Sequence, residues 1–77
     1  MTYKFFSTPT CGVCKTMWPV VESIHPDTEY ISLRTNDFLT VLHGLTTVPT
    51  IIAEEDGKEV KRISGGHSKA ELVEFFK

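Results

Sequence analysis

Apolar segments and helical spacings alternate along the chain, and they predict alternating strands and helices. Residues 3–7 form a short aromatic segment that stops at Thr8 and Pro9, as expected of a strand. The next apolar side chains recur every three or four residues, as on one face of a helix: Cys14, Met17, Trp18, Val21 and Ile24. This helix is expected to end near His25, because the residue before a proline resists helical geometry.

The middle of the chain predicts a second strand, a short helix and a buried third strand. Residues 30–33 form the second strand, and Asn36 is a good N-cap for the helix behind it. Spacing assigns four residues to the apolar face of this helix: Phe38, Val41, Leu42 and Leu45. Gly44 is predicted to end the helix, and the β-branched, apolar residues 50–53 form the third strand.

The last part of the chain predicts a hairpin and an amphipathic helix. Asp56 and Gly57 are a strong signal for a tight turn, and the returning strand at 58–63 carries many charges, as suits an exposed edge. Ser68 and Glu71 have the spacing of a capping box. The apolar side chains behind this cap follow helical spacing: Leu72, Phe75 and Phe76.

The order of these elements, βαβαββα, predicts the fold class. The first strand, first helix and second strand are expected to form a right-handed parallel unit, and the hairpin adds antiparallel strands. We therefore expect an α/β fold with a mixed four-stranded sheet flanked by three helices on both faces. The length of 77 residues corresponds to a single domain, residues 1–77.

Composition and charge exclude several classes of function. Apolar residues at 40% and charged residues at 23% are ordinary values for a globular protein, and a net charge of -2 argues against general nucleic-acid binding. No apolar run approaches the roughly 18 residues that a membrane span needs. The N-terminus lacks the long apolar stretch of a secretory signal, so the expected location is cytoplasmic, with no membrane partner.

The only two cysteines, Cys11 and Cys14, stand where the first strand gives way to the first helix. In the cytoplasm such a pair is more typical of redox or metal chemistry than of a structural disulfide. A helix N-terminus offers unpaired N–H groups and a positive dipole end, which lower the pKa of a cysteine there from about 8.5 to roughly 3.5–7.5. Cys14 lies one turn further along, on the apolar side of the helix.

This unequal placement is what thiol–disulfide exchange needs. Cys11 is expected to attack a substrate disulfide and Cys14 to resolve the mixed disulfide, with Lys15 adding positive charge nearby. Two other interpretations are a pair of ordinary buried residues and half of a zinc site. The other soft ligands lack finger-like spacing, so no metal is expected: His25, His43 and His67.

Four motifs, in the right order, make nearly the whole chain resemble the thioredoxin family. The stretch "CGVCKTMWP" is similar to the family's Cys-Gly-Pro-Cys-Lys followed by a proline, here Pro19. The stretch "HGLTTVPT" is similar to the loop that contains the family's cis proline, here Pro49 after Val48. "PTIIAEEDGKEV" matches the strand–turn–strand that follows, and "SGGHSKAEL" resembles the segment with a substrate-facing glycine, here Gly65.

The resemblance implies a thioredoxin fold and a reductant of protein disulfides whose redox cofactor is the cysteine pair itself. It implies that the Val48 backbone pairs with an extended substrate chain and that Gly65 flanks the same groove. Apolar contact would come from residues around the first cysteine: Pro9, Gly12 and Val13. The implied partners are protein disulfides and a protein reductase such as thioredoxin reductase, and the protein is expected to act as a monomer.

Three residues near the cysteines depart from the family pattern. Val13 replaces the proline between the cysteines, and Thr10 replaces the tryptophan before the first cysteine. Phe5 falls where the family has a buried aspartate that helps to deprotonate the second cysteine. The base that activates Cys14 is therefore left open by the sequence.

The end of the chain leaves the source of electrons open. The short chain and the pair Gly65 and Gly66 are closer to glutaredoxins, but the last helix begins with Ser68 and Lys69 instead of the acidic residues that help glutaredoxins to bind glutathione. The alternatives are a glutathione-dependent, glutaredoxin-like reductant and an electron donor to ribonucleotide reductase. From another class, a thioredoxin-fold binding or metal-carrier module is a further alternative.

Overall fold

The computed structural model describes residues 1–34, 38–45 and 47–77, and the predicted N-cap Asn36 lies outside them. The elements follow the predicted order: β1 (Thr2–Ser7), α1 (Gly12–Ile24), β2 (Glu29–Ser32), α2 (Phe38–Leu42), β3 (Thr50–Glu55), β4 (Lys58–Ser64) and α3 (Lys69–Phe75). The prediction of an α/β fold with a mixed four-stranded sheet and three helices is confirmed.

The strands lie in the order β2-β1-β3-β4. β1 and β2 are parallel, with Phe5 opposite Tyr30, whereas β3 runs antiparallel to both of its neighbours, β1 and β4. The last residues of β1, β2 and β4 therefore lie at the same edge of the sheet as the first residue of β3. We call this the upper edge, and α1 and α3 both begin there.

The main core lies between the sheet and the pair of helices α1 and α3. α1 contributes its buried positions at helical spacing, and the strands contribute large apolar side chains. The buried members of this core are Tyr3, Phe5, Cys14, Met17, Val21, Ile51, Ala53 and Leu72. Since each large side chain contributes about 1.5–3 kcal/mol on burial, this core dominates the stability of so short a chain.

A smaller core covers the opposite face of the sheet, and here one sequence prediction is wrong. The second core consists of Phe6, Leu33, Leu45 and Ile52, with Leu39 of α2 packed against it. The predicted apolar face of α2 mostly points to solvent, because Phe38, Val41 and Leu42 are 63%, 86% and 68% exposed. A helix of five residues makes little more than one turn, so apolar spacing alone does not decide which side faces the sheet.

The connections follow the turn chemistry predicted from the sequence. Asp56 and Gly57 both have positive φ, 55° and 78°, as a tight hairpin turn requires. Gly44, with φ of 62°, follows the end of α2. α3 begins with the predicted capping box, in which Glu71 N donates to Ser68 Oγ over 3.3 Å and Ser68 N donates to Glu71 Oε1 over 3.0 Å.

The capping box makes part of the stability depend on pH. The hydrogen bond from the Ser68 backbone, and then the one from His67, hold the pKa of Glu71 below its ordinary value of 4.5. A carboxylate with a lowered folded-state pKa stabilises the fold above its unfolded pKa, and this contribution is lost as the pH falls through the folded pKa. We expect Glu71→Gln to lower the urea midpoint near neutral pH, with the difference disappearing well below pH 4.5.

Glutamine is a suitable replacement because its side-chain oxygen can still accept the Ser68 N–H bond. Glu74→Gln is the matched control, since Glu74 lies on the same helix and pairs only with Lys77 among the interactions described. The prediction would be wrong if the wild-type urea midpoint exceeded that of Glu71→Gln by the same amount at acid pH and at neutral pH.

Within residues 1–34, 38–45 and 47–77, none of the helices has the length and apolar character needed to cross a bilayer.

Candidate active site at the upper edge of the sheet

The two cysteines meet at the start of α1, directly beyond the end of β1. Cys11 is the N-cap of the helix, with extended backbone angles, and it forms a disulfide with Cys14 across a Cα–Cα distance of 5.3 Å. Cys11 is partly exposed, whereas Cys14 belongs to the main core and is only 1% exposed. The sulfur atoms are therefore unequal, because only the first is open to a large substrate.

Backbone geometry favours negative charge on the sulfur of Cys11. The backbone N–H of Cys14 donates to Cys11 Sγ over 3.1 Å, so this sulfur occupies the capping position of the helix. The first turn of α1 contains no acidic residue, and Lys15 lies exposed within it. A thiolate at this position gains from the N–H bond and from the positive end of the helix dipole.

The loop that contains Pro49 is joined to the segment that precedes α3. The Val48–Pro49 peptide bond is cis, as predicted. Pro49 is buried, Val48 is half-buried, and the Pro49 carbonyl accepts a hydrogen bond from the backbone N–H of Gly65 over 2.8 Å. Gly65 has a φ of 81°, which favours glycine at this position.

Two hydroxyl groups near this loop were not identified from the sequence. Thr50, only 1% exposed, donates its hydroxyl proton to the Thr47 carbonyl over 2.5 Å, and its Oγ1 lies within hydrogen-bond distance of the Ser64 hydroxyl, at 3.3 Å. These bonds join the loop to the ends of β3 and β4. The signal available in the sequence was the threonine directly after the proline, since threonine hydroxyls often bond to nearby backbone carbonyls.

The residues between the cysteines approach the segment before α3. Val13 is 49% exposed, and a Cβ atom built on Gly66 would lie only 3.2 Å from Val13 Cγ1. The lack of a side chain at Gly66 thus allows this close approach. Pro9 and Gly12, which lie before and after Cys11 in the sequence, are also exposed.

The aromatic rings of Trp18 and Phe5 pack in or against the main core. Trp18 is half-buried, with its ring 5.3 Å from the ring of Phe5 and 5.0 Å from that of Tyr30. Phe5 is fully buried in the same core as Cys14, so the position that the family pattern gives to an aspartate holds an apolar side chain. Phe5 therefore cannot accept the proton of Cys14.

The alternative of a zinc site gains no ligand set among the residues that the structure describes. Across the described part of the chain, no three His, Cys, Asp or Glu side chains are grouped so that they could hold a metal ion. His67 lies near the site, but its ring nitrogens contact the Ser64 carbonyl at 2.8 Å and Glu71 at 3.4 Å.

Comparison with known families gives one result for almost the whole chain. The family model described as Thioredoxin matches residues 4–77. Among curated proteins, the thioredoxin of Chlamydia muridarum is 33% identical over 70 aligned residues, covering 84% of this chain and 69% of that protein. The thioredoxin of Mycobacterium tuberculosis is 33% identical over 69 residues, covering 82% of this chain and 60% of that protein.

Solved structures give the same result at the level of the fold. Thioredoxin 1 from Thermosipho africanus superimposes with a TM-score of 0.85 at 29% identity, covering 99% of this chain and 90% of that one. A mutant thioredoxin from Halobacterium salinarum superimposes with a TM-score of 0.80 at 26% identity, covering 96% of this chain and 69% of that one. The predicted thioredoxin fold is thereby confirmed.

Proposed function

Because the chain belongs to the thioredoxin family and is a thiol–disulfide oxidoreductase with a Cys-x-x-Cys pair, we propose that it reduces protein disulfides, with Cys11 as the attacking thiol and Cys14 as the resolving thiol. The observation that carries this proposal is the difference between the two sulfur atoms. Cys11 caps a helix and is partly exposed, whereas Cys14 is buried beside it.

The proposed reaction has two exchange steps. The Cys11 thiolate attacks one sulfur of the substrate disulfide, a mixed disulfide forms, and the other substrate sulfur leaves as a thiolate that takes up a proton. Cys14 then loses its proton and attacks Cys11 Sγ, which breaks the mixed disulfide and releases the second substrate thiol. Two electrons pass to the substrate, and the Cys11–Cys14 disulfide forms.

The substrate chain is proposed to lie along the upper edge of the sheet. Val48 is half-buried and lies just before β3. Its backbone N–H and carbonyl groups are therefore candidates for pairing with an extended chain. The Gly65 backbone is proposed to flank the same groove, because its N–H is bonded to the Pro49 carbonyl. Apolar contact is proposed for Pro9, Gly12 and Val13.

The proposal extends to location, assembly and cofactor. The dithiol form of the pair is the reducing form and persists in a reducing compartment, which supports a cytoplasmic location. A single domain, residues 1–77, acting as a monomer is part of the same proposal. The cysteine pair is proposed to be the only redox group, with no metal or organic cofactor.

Electrons are proposed to come from a protein reductase of the thioredoxin reductase type. α3 begins with the N-cap Ser68 followed by an exposed Lys69, a position at which acidic residues would suit the amino group of glutathione. The pair Gly65 and Gly66 favours the alternative, a glutaredoxin-like protein that uses glutathione. Ribonucleotide reductase is a candidate substrate under either alternative.

Two coupled assays test the electron source. The oxidised protein is mixed with insulin and NADPH, once with the thioredoxin reductase of its own host and once with glutathione and glutathione reductase. We expect faster NADPH consumption in the first system. Faster consumption in the second would support the glutaredoxin-like alternative.

A control with dithiothreitol separates these outcomes from the binding-module alternative. In the absence of any reductase, catalytic amounts of the protein should accelerate insulin reduction by dithiothreitol. A protein that binds partners without redox chemistry would leave that rate unchanged, and the proposed function would then be wrong.

A further inference from the structure

A cavity of about 340 Å³ opens beside the cysteine site, on the face of the sheet that carries α2. We call it the α2 pocket. Its lining includes Thr8, Leu33, Arg34, Thr40, Leu45 and Val48. None of these residues except Val48 has a role in the exchange reaction described above.

The α2 pocket is continuous with the proposed substrate groove. Val48 lines the pocket and is also the residue proposed to pair with the substrate backbone. Thr8 lines it too, and the Thr8 carbonyl accepts the backbone N–H of Cys11 over 3.2 Å. Leu33 is held at the end of β1 because its N–H donates to the Ser7 carbonyl over 2.8 Å. A chain paired with Val48 would therefore pass the mouth of the pocket.

The chemistry of the lining is apolar inside and positive at the rim. Leu33 and Leu45 are buried, and the half-buried Val48 forms a wall. Arg34 is exposed, and none of the lining residues within 1–34, 38–45 and 47–77 is acidic. The pocket thus suits an apolar side chain that has a carboxylate close to it.

The two arginines of the chain differ in their partners. Arg62 forms hydrogen bonds to both carboxylate oxygens of Glu59, at 2.5 and 2.6 Å, and a third to the His43 carbonyl at 2.7 Å. Among the residues that the structure describes, no carboxylate forms an ion pair with Arg34. Arg34 is therefore open to a carboxylate of a bound molecule.

Exposed lysines lie at the upper edge of the sheet, together with one carboxylate of α3. Lys15 and Lys69 lie exposed in the first turns of α1 and α3, which begin at this edge, and Glu71 lies in the same turn as Lys69. The acidic residues 54–56 lie at the other end of the sheet, around the turn between β3 and β4. The Glu71 carboxylate accepts the Ser68 N–H and contacts His67, so the exposed ammonium groups of Lys15 and Lys69 are the charges that would attract an acidic segment.

We propose that the α2 pocket is a substrate subsite that selects protein disulfides flanked by an apolar and an acidic residue, with the apolar side chain in the pocket and the carboxylate on Arg34. Arg34 is thus a specificity-determining residue, and it takes no part in the sulfur chemistry. The inference rests on the proposed function, because it names the substrate class of the same site.

Cyclic peptides closed by one disulfide provide the test. They share a leucine beside one cysteine and differ only at the next position, which is glutamate, glutamine or lysine. The reduced protein is mixed with each peptide, the reaction is quenched with acid, and the reduced peptide is quantified by chromatography. We expect the second-order rate constant to be about fivefold higher for the glutamate peptide than for the lysine peptide, as suits an exposed ion pair.

Four variants locate the origin of this preference. Arg34→Gln should abolish it, Arg34→Glu should invert it, and Arg62→Gln, the matched control, should leave it unchanged. A further glutamate peptide, with alanine in place of the leucine, should react more slowly with the wild-type protein, and Thr40→Phe, which fills the pocket, should remove this difference. All four should react with uncharged 2,2′-dithiodipyridine at the wild-type rate, because the pocket takes no part in the exchange itself.

The outcomes separate failure of the inference from failure of the proposed function. Equal rates for the three peptides, or a preference for glutamate that persists in Arg34→Gln, would overturn the subsite. A wild-type protein that reacts with 2,2′-dithiodipyridine but reduces none of the peptides would instead count against disulfide reduction as its function.

Discussion

Replacing Cys11 with serine is expected to abolish disulfide reduction, whereas replacing Cys14 with serine is expected to trap the protein on its substrates. In Cys11→Ser the remaining sulfur is 1% exposed and sits in the core, so a folded protein substrate cannot reach it. In Cys14→Ser the capped, partly exposed sulfur of Cys11 is retained. It can still form a mixed disulfide, but no second thiol is present to resolve it.

The measurement uses the two variants side by side. Each variant, in its reduced form, is incubated with host lysate whose protein disulfides are oxidised, remaining thiols are blocked by alkylation, and adducts are separated on non-reducing gels. Only Cys14→Ser should form adducts that disappear on treatment with dithiothreitol. Insulin turnover in the dithiothreitol assay should fall to background in both variants, because each lacks one half of the dithiol.

A third observation checks the assignment without mutation. Substoichiometric iodoacetamide, added to the reduced wild-type protein near neutral pH, should label Cys11 first, because a thiolate at a helix N-terminus is the more reactive form. Labelling of Cys14 first, or trapping by Cys11→Ser, would reverse the two roles.

Replacing Leu72 with alanine is expected to cost about 2–5 kcal/mol of the free energy of unfolding. Leu72 is fully buried between α3 and the sheet, so the change removes apolar contacts and leaves a cavity. A chain of 77 residues has a total stability of roughly 4–12 kcal/mol, at about 0.05–0.15 kcal/mol per residue. The variant is therefore expected to be partly unfolded at moderate temperature.

Leu42→Ala is the matched control, because it makes the same change at a position that is 68% exposed. We expect it to change the free energy of unfolding by no more than about 0.5 kcal/mol. Urea unfolding followed by circular dichroism gives both values. A cost at Leu42 as large as that at Leu72 would contradict the exposed position of the α2 side chains.

The sequence alone determined the features that depend on near neighbours in the chain. The element order, the turn at Asp56 and Gly57, and the capping box of Ser68 and Glu71 all follow from such local patterns. The position of Cys11 at the start of a helix is local as well. These predictions succeeded because turns, caps and helix periodicity are set by interactions within a few residues.

The site could be predicted from the sequence only in part. The residues of the cysteine motif and the cis bond before Pro49 were recognised from motifs. The hydroxyl of Thr50, which joins the Thr47 carbonyl to Ser64, was missed, because Ser64 lies on a different strand. A contact between residues that are distant in the sequence leaves no periodic signal.

Only the tertiary structure decided which side of α2 faces the sheet and what lies beside the cysteines. Phe38, Val41 and Leu42 share a helical spacing, yet Leu39 is the α2 residue that packs against the second core. Arg34 is far from Cys11 in the sequence, but parallel pairing of β1 with β2 carries the two chain segments to one edge of the sheet. Strand pairing and the burial of a short helix depend on the whole chain, because neither is set by the energies of neighbouring residues alone.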